Sequence, residues 1–385
     1  MVLTSVIIEI LIFMNKFLVF GDFTTEGKGK KSIEVGKAFD GAILDDIAKA
    51  DYSIINLESP IVDESCQPID KYGPNLCSSP IVVDFFDRIG ISGITLANNH
   101  FYDYGERGVK VTIESLIEKG IQYVGGGRCR DEIKKILYIT LSEAKIAVLN
   151  YCEHEYSIQD SIGSNPLNPI SIYYDLLEAR KNADIIICIT HGGHEGYNLP
   201  SPRMQSLYRF IIDCGADAVV NHHQHCYSGY EQYHNGYIYY GLGNFFFDTD
   251  TEWDKLWAEG YYVSIQIENK KIQGITIHPY VQGDNPNFHV RPMDDSERNE
   301  FEISINKLNK IISDSIQLDE CFRDFCKRKK KNYTVVLSPY TNRILRALSK
   351  RSLLPSFITK GRKKMLENYI KCEAHRDVLE YVLTI

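Results

Sequence analysis

The ten cysteines of this 385-residue chain form no CxxC pair and no compact framework. Their scatter excludes a small disulfide-stapled fold and reads as buried free thiols in a reducing compartment. Cys66 and Cys77, which flank one loop, are placed to bridge if the protein is exported. Internal repeats and low-complexity tracts are missing, which excludes solenoid architectures. No GxGxxG motif is present, and no glycine loop runs into Lys-Ser/Thr. Gly125-Gly126-Gly127 therefore reads as a loop after a strand, not as a phosphate cradle. No nucleic-acid-binding motif appears, and no specific nucleic-acid partner is expected. Long apolar runs are absent too. Residues 1–13 are apolar, but they carry Glu9, lack a basic leading segment and a small-residue cleavage site, and are too short for a clean spanning helix. Residues 1–15 are set aside as an extension, with translation starting at Met1 or Met14. The expected location is cytoplasmic, with anchoring to a membrane through the N-terminus as the alternative.

An apolar share of 44% supports a sizeable core, in one large domain plus an appendage or in two domains. The 25 tyrosines are read mainly as strand-face and core-periphery residues. Five apolar runs then end alike. Lys16–Phe20 leads into Gly21-Asp22, and Tyr52–Ile55 into Asn56-Leu57-Glu58. Ile94–Ala97 leads into Asn98-Asn99-His100, with Asp103 close behind. Ile185–Ile189 leads into Thr190-His191, then His194-Glu195. Val219-Val220 leads into Asn221-His222-His223-Gln224-His225, which holds three of the 11 histidines. Short apolar runs separated by helical stretches read as buried strands of an α/β sheet. Such sheets bind ligands beyond the carboxyl ends of their strands. Five ends carrying carboxylate, amide and imidazole groups thus point to one metal crevice, since imidazole is the commonest protein ligand for zinc-like metals. The chemistry fits two divalent cations (Mn, Fe or Zn) sharing a carboxylate. Helices are expected over Arg107–Lys119 before Gly120, and over Arg203–Cys214 before Gly215, the latter with Leu207, Phe210 and Ile211 on its apolar face. Tyr237–Tyr240, Tyr261–Ile267 and Ile272–Ile277 read as later strands, the last two as a hairpin covering the second half.

In order, these pieces resemble the CapA family of bacterial capsule and poly-γ-glutamate synthesis proteins, whose fold is similar to that of the calcineurin-like metallophosphoesterases. The matching pieces are Gly21-Asp22, Asn56 to Pro60, Leu96 to His100 with Asp103 and Gly105, His191, Gly215-Ala216-Asp217, His222 to His225, and Leu242 to Phe245 with Asp248. They cover roughly residues 16–250. The resemblance implies an α/β fold with a layered β-sheet core flanked by helices, here given the bounds 16–293, while a change of character near Asp294 and the helical apolar period of Glu297–Phe325 mark a basic helical region over 294–385. It implies Asp22, Glu58 and His225 as ligands of a first metal, and Glu58 (bridging), Asn99, His191 and His223 as ligands of a second. It makes His100 the proton donor or phosphate contact, oriented by Asp103. Asn56, His194, Glu195, Arg203, His222, Asn244 and Asp248 are expected to line the site. The sequence departs from the phosphoesterase pattern at Thr24, where a histidine is usual, and has Glu58 where Asp is usual. A one-metal site stays open, as does His194 as an alternative ligand.

Residues 321–371 carry 15 Lys/Arg against two Asp/Glu, so a chain of net −8 has −21 outside this stretch. A solvated helical face packed on the acidic body is expected there, with contact to an anionic surface or polymer as the sharper reading. Three functions follow. One is a metal-dependent hydrolase of phosphoesters or related bonds in surface-polymer synthesis, acting on an anionic polymer or a phosphorylated small molecule. Another is a non-catalytic polymer-binding or transport component. The last is an amide hydrolase on glutamyl polymers.

Overall fold

The computed structural model describes residues 14–248, 255–283, 288–340 and 342–371, with His375, Val378 and Leu379 beyond them. The apolar run 1–13 and Cys372 lie outside the described residues. A strand covered on both faces must be apolar throughout. The strand β1 (Asn15–Phe23) meets this demand, with Phe17, Leu18, Val19 and Phe20 sealed from solvent. Next come β2 (Tyr52–Leu57), β3 (Gly93–Thr95) and β4 (Gln122–Val124), each reached through a helix: Gly41–Ala48, Ile81–Ile89 and Gly105–Glu118. The middle of the chain supplies β5 (Gly126–Gly127), β6 (Leu137–Leu141), β7 (Ala144–Cys152), β8 (Gly163–Ser164), β9 (Ile185–His191) and β10 (Ala218–His222). The last strands are β11 (Tyr230–Tyr233), β12 (Gly236–Tyr239), β13 (Asn244–Phe246), β14 (Glu259–Glu268), β15 (Lys271–Gln282) and β16 (Val290–Pro292).

Two sheets result. The first runs β16-β15-β14-β1-β2-β3-β4, with β13 also pairing β1, and the second runs β11-β12-β10-β9-β7-β6. Each has a parallel centre, β1 to β4 in one and β7-β9-β10-β12 in the other. This is the expected α/β architecture of layered sheets flanked by helices. The hairpin β14–β15 is antiparallel as expected, but it does not cover the second half. It completes the first sheet, where β14 pairs β1 antiparallel. That placement satisfies the edge β1 would otherwise leave unpaired. The three glycines after β4 form no cradle. Gly125 turns the chain at φ +85, and Gly126–Gly127 pairs with β8.

An aromatic cluster fills the space beside the first sheet. Phe20 packs at a tilt against Phe245 at 4.7 Å, and Phe23 stacks on Phe246 at 5.0 Å, with Phe39, Phe85 and Phe86 around them. Tyr151, Tyr208, Tyr240, Tyr261 and Tyr280 are fully buried, which is the structural role expected of this residue type. The helix Gly105–Glu118 ends at Gly120, whose φ of +71 suits the left-handed residue after a helix. The helix Pro202–Asp213 is present, but its inner face is turned from the expected one. Met204, Tyr208, Ile211 and Ile212 face inward while Phe210 is exposed, because Ser201 caps the helix and Pro202 opens it, fixing its rotation. Cys66 and Cys77 are both free thiols.

The chain divides into two compact units, Met1–Leu318 and Asp319–Ile385. Composition changes near Asp294, yet the helix Asp295–Ser313 belongs to the first unit. Its Ser304 and Asn309 bond to the Tyr227 hydroxyl and the Tyr230 amide at 2.9 and 2.7 Å, and Ile312 O accepts from Gln205. Asp294 and Glu297 close a capping box at its start. The second unit contains the remainder of the helix Ser315–Val336 and the helices Arg343–Lys350 and Lys360–Lys371.

Candidate metal centre

The strands deliver some of the functional groups within their last residues and the others, Glu58, Asn99, His100, His223 and His225, in the turns just after them. Asp22 is the penultimate residue of β1, Asn56 sits in β2, and His191 and His222 end β9 and β10. Register sets the neighbours. Asp22 lies opposite Asn56 on one side and Asn244 on the other, and His191 lies opposite His222. Gly21 is required here, since a Cβ on it would lie 2.2 Å from Gly243 O. The two sheets meet at this seam. The His222 ring donates through Nε2 to Phe20 O at 2.9 Å, and the His223 amide donates to Asp22 Oδ2 at 3.1 Å. His223 and His225 both adopt left-handed backbone, at φ 87 and 55. Non-glycine residues hold that conformation at a cost of about 1–3 kcal/mol each, which is typical of functional sites.

Glu58 lies at the middle of the cluster. It is fully buried, and neither carboxylate oxygen has a hydrogen-bond partner. His191 Nε2 is 3.4 Å from its Oε1, and His225 Nε2 is 3.6 Å from the same oxygen. Burial, reinforced by the charges of Asp22 and Glu195, pushes the Glu58 carboxyl well above its usual range. Burial and the surrounding imidazoles hold His191 far below its usual range, and hold His223 down to about 3. These rings are therefore neutral, the form that binds metal. His191 Nε2 also lies 2.9 Å from Asn99 Oδ1, and its ring is 4.7 Å from that of His223. Two groups have donor atoms converging within 4.8 Å: Asp22, Glu58 and His191, and Glu58, His223 and His225. Carboxylate, amide and neutral imidazole are a donor set suited to Mn, Fe or Zn. A buried carboxylate with two bare oxygens, shared by both groups, fits a cation on each side. The grouping differs from the division the resemblance implies, since His225 joins His223 and Asp22 joins His191.

Around this centre, Asn56 Nδ2 donates to Asp22 Oδ1 at 2.7 Å and approaches His191 Nδ1 at 3.3 Å. Asn244 Oδ1 takes the His225 Nδ1 proton at 2.8 Å, which leaves Nε2 directed at Glu58. Asn244 is thus an orienting residue rather than a wall. His100 Nδ1 meets Asp103 Oδ2 at 2.6 Å, as expected for a ring and its orienting carboxylate. Three other expectations shift. Asp248 accepts from the Lys28 amide at 2.5 Å and braces the loop after β1. His222 spends its Nε2 proton on Phe20 O, so it ties the sheets together. Arg203 pairs with Glu153 and is 59% exposed, while Glu153 also accepts from the Gly193 amide. His194 and Glu195 are not among the converging donors, His194 stacking edge-on to Tyr197. Thr24, in the departing position, is fully buried with its hydroxyl 3.3 Å from Ser59 Oγ.

Sequence reasoning missed Lys71. Its side chain is buried, forms an ion pair with Asp103 Oδ1 and lies 3.4 Å from His100 Nδ1. It stands in a loop with no periodic pattern, so nothing local marks it. Glu155, whose side chain reaches Asn99, was missed for the same reason.

An α/β protein with a buried carboxylate–imidazole cluster at the seam of two sheets is thereby defined. The chain belongs to the bacterial capsule synthesis protein PGA_cap family, which it matches over residues 16–249. It is 32% identical over 212 residues to the capsule biosynthesis protein CapA of Bacillus anthracis, covering 52% of this chain and 52% of that one. It is 32% identical over 205 residues to the PGA biosynthesis protein CapA of Bacillus subtilis, covering 52% and 54%. A probable polyglutamine synthesis accessory protein of Mycobacterium tuberculosis is 24% identical over 218 residues, covering 53% and 57%. The chain spans about half the length of the curated relatives it matches. Among solved structures it is similar to a 5′-nucleotidase from Candida albicans, at 10% identity and TM-score 0.41 over 82% of this chain and 58% of that one. It is also similar to a hypothetical protein from Thermus thermophilus, at 12% identity and TM-score 0.46 over 70% and 100%.

Proposed function

We propose that this protein is a divalent-metal-dependent hydrolase of a phosphoester or related bond, working in the synthesis of an anionic surface polymer. The observation that carries the reading is Glu58, a fully buried carboxylate with two unpartnered oxygens and two imidazole nitrogens within 3.6 Å. Burying an ionised carboxylate costs several kcal/mol unless an opposite charge accompanies it. Asp22, Glu58 and His191 would hold one cation, and Glu58, His223 and His225 the other, with Asn99 beside His191. When bound, such cations lower the pKa of a water and offset charge on the reacting group. The chain's own residues do the rest. Asn56 and the His223 amide fix Asp22, and Asn244 fixes His225. Asp103 holds His100 by Nδ1, leaving Nε2 for the proton that a leaving oxygen takes up. Lys71 keeps Asp103 in place. The polymer setting is inferred from the names of the relatives.

A second reading, a non-catalytic polymer-binding component, draws on Thr24, which offers no ring nitrogen at a position where phosphoesterases use one. Metal analysis of freshly purified protein, followed by assays on an aryl phosphate, a phosphodiester and a γ-glutamyl peptide, separates the readings. The hydrolase reading expects about two metal equivalents and phosphoester turnover that falls roughly 10²–10⁴-fold in His100→Ala. Metal-free protein that neither takes up metal nor turns over any of the three would leave the binding role.

A further inference from the structure

The unit from Asp319 onward lies wholly outside the family match at 16–249 and carries 16 Lys/Arg against seven Asp/Glu in a chain of net −8. Its helix Arg343–Lys350 opens on an Asn342 cap, whose side chain accepts from the Ile344 amide at 2.8 Å. At 100° per residue, Arg343, Arg346 and Lys350 fall on one side of this helix, and Ile344, Leu345 and Leu348 on the other. On the apolar side Ile344 is 70% exposed and Leu345 41%, with Leu348 half-buried. The turn that follows exposes Leu353 by 65%. The helix Lys360–Lys371 repeats the pattern only in part: exposed Met365 and Tyr369 lie opposite Lys360, Lys363 and Lys364, but Arg362 shares the side of Met365 and Tyr369, and Ile370 falls beside Lys363. The unit thus presents one short helix with opposed cationic and bare aliphatic sides, followed by a second basic helix that exposes Met365, Tyr369 and Ile370.

We propose that this C-terminal unit docks on the surface of an anionic lipid bilayer, lying in the interface rather than crossing it. Two features select that partner. Basic side chains near an anionic leaflet contribute about 1 kcal/mol each. Aliphatic side chains on the opposite face gain by entering the boundary between headgroups and acyl chains, which is how interfacial helices hold on. A polyglutamate chain or an RNA would neutralise the lysines and arginines but leave Ile344, Leu345 and Leu353 in water. Among the described residues no helix is long and apolar enough to cross a membrane, which fits an interfacial position. The charge density also fits, at 15 basic residues against two acidic ones over 321–371. The inference uses no residue of the metal centre and stands or falls apart from the hydrolase reading.

Vesicle flotation of the full chain tests it. Protein is mixed with phosphatidylcholine vesicles, with or without phosphatidylglycerol, and the floated fraction is measured against salt. The expected result is binding to the anionic vesicles alone, weakened by salt. The triple change Arg343→Gln, Arg346→Gln and Lys350→Gln should lower the partition coefficient about 100-fold, from roughly 1 kcal/mol per charge. Ile344→Ser with Leu345→Ser should lower it at least about tenfold, because each buried aliphatic side chain contributes more than about 1 kcal/mol. Far-ultraviolet dichroism confirms that the variants stay folded. Failure of the full chain to float with anionic vesicles overturns the proposal. So does flotation untouched by the two serine substitutions, which would mark a purely ionic contact. Release of bound protein by polyglutamate or RNA at charge equivalence to the lipid also overturns it, since the polyanion would then be the preferred partner.

Discussion

The substitution Glu58→Gln isolates the charge at the centre of the cluster while keeping its shape. Both converging groups use Glu58, so its loss weakens both at once. A cation present at 100 times its Kd stabilises the folded protein by about 2.7 kcal/mol. The body that unfolds has roughly 300 residues. At about 2.1 cal/mol/K per residue, its unfolding entropy is about 0.6 kcal/mol/K. Metal should therefore raise the melting temperature of wild-type protein by about 4 °C. If Glu58→Gln weakens binding about 100-fold, the same metal concentration sits near Kd, the stabilisation falls to about 0.4 kcal/mol, and the shift drops below about 1 °C. The assay is thermal unfolding followed by dichroism on chelator-treated protein, before and after adding Mn or Zn. In the chelated state Glu58→Gln should melt no lower than wild type, because the amide removes a buried charge without changing volume. A variant that kept the full metal-induced shift would refute the argument, whatever its activity.

Asn244→Ala should weaken metal binding about 10–100-fold with the fold intact, as loss of an orienting partner does, and titration calorimetry reads this directly. Lys71→Met should cost about 3–5 kcal/mol in urea unfolding, because it strands buried Asp103. Adding Asp103→Asn should recover most of that loss. Gly125→Ala should cost about 3 kcal/mol or more, since its Cβ would lie 2.0 Å from Asn150 Oδ1, which accepts the Ala97 amide, in a backbone of positive φ. Glu297 is held down at about 2 chiefly by the Arg291 guanidinium. A depressed carboxyl stabilises the fold above its unfolded pKa and loses that contribution as pH falls through the folded value. Glu297→Gln should therefore cost about 1–2 kcal/mol at pH 7, after discounting for partial exposure. The gap to wild type should narrow as pH is lowered from about 4.5 towards 2.

Strand existence was legible because buried parallel strands must be apolar, and the five segments identified that way are the strands that build the centre. Their ends were less legible. Asp22, Asn56 and His191 are polar yet remain in register, because a buried strand end accepts polar groups that satisfy one another across the seam. The partners of β14 and β15 could not be read at all, since an antiparallel hairpin pairs as readily with either sheet until the open edge of β1 decides. Within the site, the groups on strand ends announced themselves through residue type and position. Lys71 and Glu155 did not, because loop residues come near the centre only through tertiary folding. The grouping of the converging donor atoms was equally hidden, as it depends on side-chain directions rather than on order along the chain.

The contacts that join the sheets, Phe20 to His222 and Asp22 to His223, link residues 202 and 201 positions apart. Closing a loop of that length is entropically slow, and neither hairpins nor helices can form such a contact early. The cluster therefore assembles late in folding, after both sheets exist. A fragment ending before β10 would carry Asp22, Glu58 and His191 but could not close the seam. Recovery of the metal uptake proposed above would then be a clock for the last long-range step, lagging behind the return of secondary structure.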